Sequence, residues 1–272
     1  MTAPLLVVLK VLFSAGMVIA VTLTAERVSA RLAGVMIGFP LGVGLTLFFL
    51  GLEQGAVFAA ESALWSMQGI LAALGFCWCY CRTALLFSRD TMVSLFVSSL
   101  LGLVGYFTLA AAIRFFMPAD TLARTAIVIL LLFLLAVVFR GTTPERVKKR
   151  VAITWAMLAA RAGFAALVIL TVTGVAAWAG PSWSGLLAAF PTAILPSVVI
   201  IHFHYGRESV PDLFRDTPLA MLAIVVFSTS VYFTYPLFGV IGGTILSYGA
   251  ALVYLAVYEL KLRTIFDRLL PS

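Results

Sequence analysis

Charge is scarce in this chain. Asp, Glu, Lys and Arg make up 11 % of the 272 residues, against about a quarter in an ordinary soluble domain, so a soluble globular fold is excluded. Histidine is confined to His202 and His204, and cysteine to Cys77, Cys79 and Cys81. Three cysteines within five residues do not form a disulfide framework. Thiolate and imidazole together would suit a soft metal. Residues two apart on a helix, however, point about 200° apart, so one helix cannot bring all three thiols or both imidazoles to one ion. No metal and no other cofactor is expected. Enzyme signatures are missing too. The stretch Gly180-Pro-Ser182-Trp-Ser184-Gly185 is not a Gly-x-Ser-x-Gly elbow, and there is no His-Glu-x-x-His and no phosphate-binding glycine loop. The few carboxylates are too scattered for a two-metal transferase. The chain therefore reads as a non-enzyme; catalysis would have to rest on His202, His204, Arg207 and Asp212.

What is present is hydrophobic. Apolar residues make up 63 % of the chain and the mean hydropathy is +1.13, which marks an all-α polytopic membrane protein. Nine spans are expected, at about 5–24, 33–52, 64–80, 92–113, 122–139, 152–178, 183–201, 219–235 and 239–258. The N-terminus lacks a basic leader and a cleavage site, so the first span reads as a retained helix. The most polar stretch, residues 140–150, separates two halves. The chain divides into a first membrane repeat (1–118), a connector helix with a basic linker (119–150), and a second membrane repeat with a cytoplasmic tail (151–272).

Lysine and arginine orient the spans. With the N-terminus outside and the linker inside, fourteen of the eighteen basic residues face the cytoplasm. Arg114 and Arg124 lie outside, while Lys10 and Arg161 fall within spans. The expected protein is thus N-out and C-in, in a bacterial cytoplasmic (inner) membrane. The net charge of +7 follows the membrane and does not imply nucleic acid.

One short pattern occurs twice. Gly34-Val-Met-Ile-Gly-Phe39-Pro40 recurs 151 residues later as Gly185-Leu-Leu-Ala-Ala-Phe190-Pro191, and the same step pairs Gly55 with Gly206 and Glu61 with Asp212. Proline within a helix removes a hydrogen bond and clashes with the preceding turn. In lipid, such breaks belong where protein or a water-filled cavity covers them. Five crossings separate the first span from the sixth, so spans one to four and six to nine would form inverted four-helix repeats. Paired breaks in inverted repeats are the geometry of alternating-access carriers. The competing reading is a pair of packing kinks.

The half-repeat resembles GlpM-type proteins, small bacterial membrane proteins of about four spans. The resemblance rests on Lys10, a short basic turn, Gly34, Pro40 and a following acidic turn, with Gly185 and Pro191 matching in the second half. It covers about 7–110 and 155–258, and the second half has Met157 or Leu158 where the lysine is expected. The resemblance implies a fused pair of half-size units and no particular substrate.

The residues expected to bind substrate are Gly34, Gly38, Phe39, Pro40, Arg161, Gly185, Phe190, Pro191 and Thr192. Arginine at a helix centre costs ~2.5–3.5 kcal/mol on insertion scales, so Arg161 either lines a cavity or snorkels to the cytoplasmic surface. Lys10 is shallower and reads as snorkelling. Glu61, His202, His204 and Asp212 are candidates for gating or coupling, the carboxylates alternatively being solvated loop residues. The function read from the sequence is a carrier of a small anionic or zwitterionic solute or lipid-linked molecule. A non-transporting scaffold for envelope assembly is the alternative. Membrane lipid and a small-molecule substrate are the expected partners, a homodimer is left open, and nucleic acid is not expected.

Overall fold

The computed structural model describes residues 3–27, 39–86, 90–118, 120–140, 154–214, 217–258 and 260. Every described segment of regular structure is helical. In chain order these are α1 (Ala3–Arg27), α2 (Leu41–Gln54), α3 (Ala56–Leu86), α4 (Thr91–Phe116) and α5 (Thr121–Arg140), then α6 (Trp155–Ala188), α7 (Ile194–Tyr205), a single 3-10 turn (Arg207–Ser209), α8 (Val210–Phe214), α9 (Thr217–Ala220) and α10 (Leu222–Val257). Five stretches among the described residues are long and apolar enough to cross a membrane: Ala56–Leu86, Thr91–Phe116, Thr121–Phe139, Trp155–Ala188 and Thr217–Val257. Their outer faces carry large apolar side chains such as Phe96, Phe116, Leu122, Trp178 and Ile245 in exposed positions. Exposed apolar surface on this scale belongs against lipid. The long apolar helices point to a multi-pass membrane protein.

The centre of the bundle is α3. It packs against α2, α4, α5, α6 and α10, and its buried face is rich in small residues, including Ala59, Ala63, Ser66, Gly69 and Ala73. Small residues let neighbouring backbones come close, which substitutes for the hydrophobic drive that lipid does not supply. At Gly69 an added Cβ would lie 2.7 Å from the Leu186 carbonyl oxygen of α6. Where α3 crosses α10, the Ser66 and Ser228 hydroxyls hydrogen-bond at 2.8 Å.

Four glycines set the bends. Gly55, Gly180, Gly206 and Gly239 have φ between 70° and 96° with ψ between 161° and 176°. That region is essentially open to glycine alone. Each joins one helical segment directly to the next. At Gly239 the chain doubles back: Thr234 reaches the Ser247 hydroxyl at 3.1 Å and Tyr235 reaches Thr244 at 2.7 Å. Thirteen residues of straight helix would separate the first pair by about 20 Å. The long run over α10 is therefore two antiparallel pieces, 222–238 and 240–257, and its length is not that of a single crossing. Gly180 does the same to α6. Phe164 and Phe190, on either side of the bend, have ring centroids 6.2 Å apart. Pro181 follows at the first position of the restarted helix, where no amide hydrogen is needed.

Against the expected spans, the two Phe-Pro stretches differ most. Helix α2 begins at Leu41, and α6 stops at Ala188 before α7 starts at Ile194. Within the described residues, the stretch at 33–52 becomes helical only after Pro40, and the stretch at 183–201 is interrupted around Pro191. The expected boundary between the eighth and ninth spans falls at Gly239. Gly34, Gly38 and the 141–150 part of the linker lie outside the described residues.

Candidate functional site between the two helix breaks

The two breaks share a backbone hydrogen-bond pattern, although helix resumes at Leu41 in the first and only at Ile194 in the second. At the first, the Leu41 amide donates to the Phe39 carbonyl (2.7 Å) and the Gly44 amide to the Pro40 carbonyl (2.8 Å). At the second, Thr192 donates to Phe190 (2.6 Å) and Leu195 to Pro191 (2.9 Å). The physical origin is local. The residue before proline is pushed out of the helical region. Pro40, at φ −75° and ψ 53°, closes a tight three-residue turn before the helix resumes. The correspondence continues to the ends of the short helices, where the Gly55 amide donates to Gly51 (3.1 Å) and that of Gly206 to His202 (3.0 Å). Residues 39–55 and 190–206 thus have three backbone hydrogen bonds in common at equivalent positions.

The devices touch. A Cβ on Gly42 would collide with the Thr192 hydroxyl, so the first turn of α2 lies directly against the second break. Around this contact is a cavity of about 330 Å³, lined by Phe39, Pro40, Leu41, Gly42, Phe190, Pro191, Thr192, Ala193 and Arg161, with Val18, Ile169, Phe214 and Met221 among its apolar walls. Pro40 and Ala193, at the caps of α2 and α7, make no side-chain capping bond; the Leu41 and Leu195 amides are already committed to Phe39 and Pro191, and Pro196 in the first turn of α7 has no amide hydrogen. The starts of both helices line the cavity and bring to it their share of positive potential.

Each phenylalanine is held by a tyrosine from the other half of the chain. Phe39 stacks on Tyr248, with centroids 5.5 Å apart and planes at 22°, and the Tyr248 hydroxyl donates to the Pro40 carbonyl at 3.4 Å. Phe190 meets Tyr106 edge-on at 5.1 Å, and the Tyr106 hydroxyl donates to the Leu186 carbonyl at 2.7 Å. Each tyrosine hydroxyl thus adds a second donor to a backbone carbonyl beside a break. Neither tyrosine was singled out by the sequence, where both lie in featureless apolar runs.

The two cations expected within spans differ. Lys10 does not snorkel. It is 4 % exposed, its Nζ lies 2.6 Å from Glu53 Oε1, and it donates to Thr173 Oγ1 at 2.6 Å. Pairing satisfies the ammonium more completely than reaching for the surface would. Arg161 lines the cavity, and its Nε is buried without a hydrogen-bond partner; among the described residues no carboxylate pairs with it. The step of 151 residues that superposes the breaks also carries Lys10 onto Arg161 and Thr22 onto Thr173. The match expected for the lysine, Met157 or Leu158, lies three to four residues earlier.

Other expected site residues lie elsewhere. Gly185 packs on α3, where an added Cβ would meet the Ser62 carbonyl and lie 2.7 Å from the Trp65 Cβ, so its smallness serves helix packing. His202 is 1 % exposed, with Nδ1 3.1 Å from the Tyr80 hydroxyl and Nε2 3.4 Å from Ser94, which makes it an interhelical linker. His204 is exposed, and its Nδ1 lies 3.0 Å from the Ile200 carbonyl oxygen. Glu61 is exposed on the second turn of α3, and the Asp212 side chain lies outside the described set. Cys77 is buried in the core, with Cys79 and Cys81 partly covered. Among the described residues no three His, Cys, Asp or Glu side chains group as a metal site would require.

No family model matches the chain, and no curated protein or solved structure matches it.

Proposed function

We propose that the protein is a membrane carrier whose substrate site lies between the two Phe-Pro breaks. In this reading the chain crosses a bacterial cytoplasmic membrane nine times, N-out and C-in, as two inverted four-helix repeats joined by the helix of residues 121–140. The resemblance to GlpM-type proteins fits this reading as the form of each half. The substrate is a small anionic or zwitterionic solute or a lipid-linked molecule. The observation that carries the proposal is the meeting of both breaks, with their matching backbone hydrogen bonds, on one cavity that also holds an arginine without a partner among the described residues.

The physics supports a carrier over two packing kinks. A kink needs only a filled interface, whereas this break is bordered by open volume and by uncapped helix starts. An unpaired guanidinium at membrane depth is expensive, and its retention fits a site that a ligand completes. Reciprocal anchoring of each phenylalanine by the opposite half gives a linkage through which one half can rock against the other.

The test is exchange in proteoliposomes. The parent protein is expected to exchange an organic anion across the bilayer, and Pro40→Ala and Pro191→Ala to insert normally and lose that exchange. Proline variants that exchange as well as the parent would return the breaks to packing and favour the scaffold reading.

A further inference from the structure

The cavity's lining is specific about the kind of anion it can hold. Polar side chains on the wall are few: Arg161, Thr192, Ser197 and Thr217. Two of them are already committed. Ser197 donates to the Ala193 carbonyl at 2.6 Å, and Thr217 donates to the Leu213 carbonyl at 2.9 Å. A sugar or other polyhydroxylated solute presents many donors and acceptors and would leave most of them unmatched here. An organic cation would meet a guanidinium and two positive helix ends. A small hydrated anion would find charge complementarity at one end but would lose its water against walls that offer nothing in return. What remains is a molecule with one anionic head and an apolar body.

Resting on the carrier reading above, we propose that the substrate is an amphipathic anion. Its single carboxylate or phosphate head sits between Arg161 and the uncapped starts of α2 and α7, and its hydrocarbon part lies along Val18, Ile169, Phe214 and Met221. Two independent features converge on the head. Helix N-termini favour anions; with the Leu41 and Leu195 amides already committed and Pro196 lacking one, α2 and α7 act here chiefly through their dipoles. Arg161 adds a charge whose Nε is buried and without a partner. The same charge explains why a neutral amphiphile of equal size is a poor substitute. The head chemistry is shared by a free alkyl phosphate, a fatty acid and a lipid-linked phosphate, so the probes below vary head and tail separately.

The test uses a version lacking Cys77, Cys79 and Cys81 with Thr192→Cys in lipid nanodiscs, labelled by a small hydrophilic thiol reagent. Octyl phosphate and octanoate are expected to slow labelling at least tenfold. Protection should grow about fourfold per added methylene from butyl to octyl phosphate, the factor corresponding to ~0.8 kcal/mol per buried methylene. Octanol and octyltrimethylammonium at equal concentration should leave labelling unchanged, and Arg161→Gln should remove the protection by octyl phosphate. A parallel rise in thermal stability of the unlabelled parent with octyl phosphate checks that the cysteine has not created the site. Inorganic phosphate protecting as well as octyl phosphate would overturn the amphipathic substrate and leave an anion carrier standing. Octanol protecting as well as octyl phosphate, or full protection in Arg161→Gln, would overturn the head assignment. A cysteine at 192 that never labels would remove the open cavity itself, and with it both proposals.

Discussion

Thr192 occupies the space that a side chain on Gly42 would need. The second break is pressed onto the first turn of α2 so closely that only a hydrogen fits between them. This contact joins the halves of the proposed site and leads to the first prediction. Gly42→Ala should destabilise the protein by about 1–2 kcal/mol through overpacking, despite alanine's better helix propensity. In a Thr192→Ala background the same substitution should become neutral or stabilising. Thermal unfolding of the four variants in detergent gives the coupling. Additive effects would mean that the two breaks do not touch.

The buried pair of Lys10 and Glu53 gives a second prediction. Removing one member leaves an uncompensated charge in a low-dielectric interior, at a cost of about 3–5 kcal/mol, whereas replacing both with apolar groups is often neutral. Lys10→Met and Glu53→Leu should each lower the unfolding temperature and the yield of inserted protein, and the double variant should recover most of both. A loss in the double variant equal to the sum of the two single losses would show that the two side chains act separately. The Thr173 hydroxyl, which also bonds to the Ile169 carbonyl, should contribute less, so Thr173→Val is expected to be milder than either single variant.

A third prediction concerns the chain reversal at Gly239. With φ at 70° and ψ at 176°, alanine there would be strained by roughly 1–3 kcal/mol whatever the surrounding space. Gly239→Ala should therefore weaken the hairpin of residues 222–238 and 240–257. Gly174→Ala, where no atom lies within 4 Å of an added Cβ and φ is ordinary, should be tolerated. Similar stability of the two variants would argue against the tight corner.

The breaks were legible in the sequence because proline acts locally: its ring and missing amide hydrogen interrupt a helix whatever surrounds it. Arg161 was legible because a charge within an apolar run is conspicuous. The pairing of Lys10 was not. Glu53 lies 43 positions further along and Thr173 in the other half, and no local pattern connects them. Tyr106 and Tyr248 were missed for the same reason, since a tyrosine in an apolar run gives no hint of which carbonyl it will reach. Gly185 was placed at the site because it recurs with the motif, yet it faces α3. Repetition identifies a backbone device, but each half packs against different neighbours, so equivalent positions take different tasks. The bends at Gly180 and Gly239 were read as loop boundaries and not as single-residue reversals, because sequence does not reveal the sign of φ.

The central claim is that the two breaks enclose one site reached in turn from each side of the membrane. The most direct measurement is the sidedness of Thr192→Cys in the version lacking the other cysteines, using a membrane-impermeant thiol reagent on right-side-out and inside-out vesicles. Cysteines at Thr143 and Ser182 serve as markers for the cytoplasmic and external faces. The account predicts that Thr143→Cys and Ser182→Cys each label from one side only, opposite to each other. It predicts that Thr192→Cys labels from both sides and that octyl phosphate slows labelling from each. Labelling of Thr192→Cys from one side alone under every condition, or from neither, would contradict alternating access at this site.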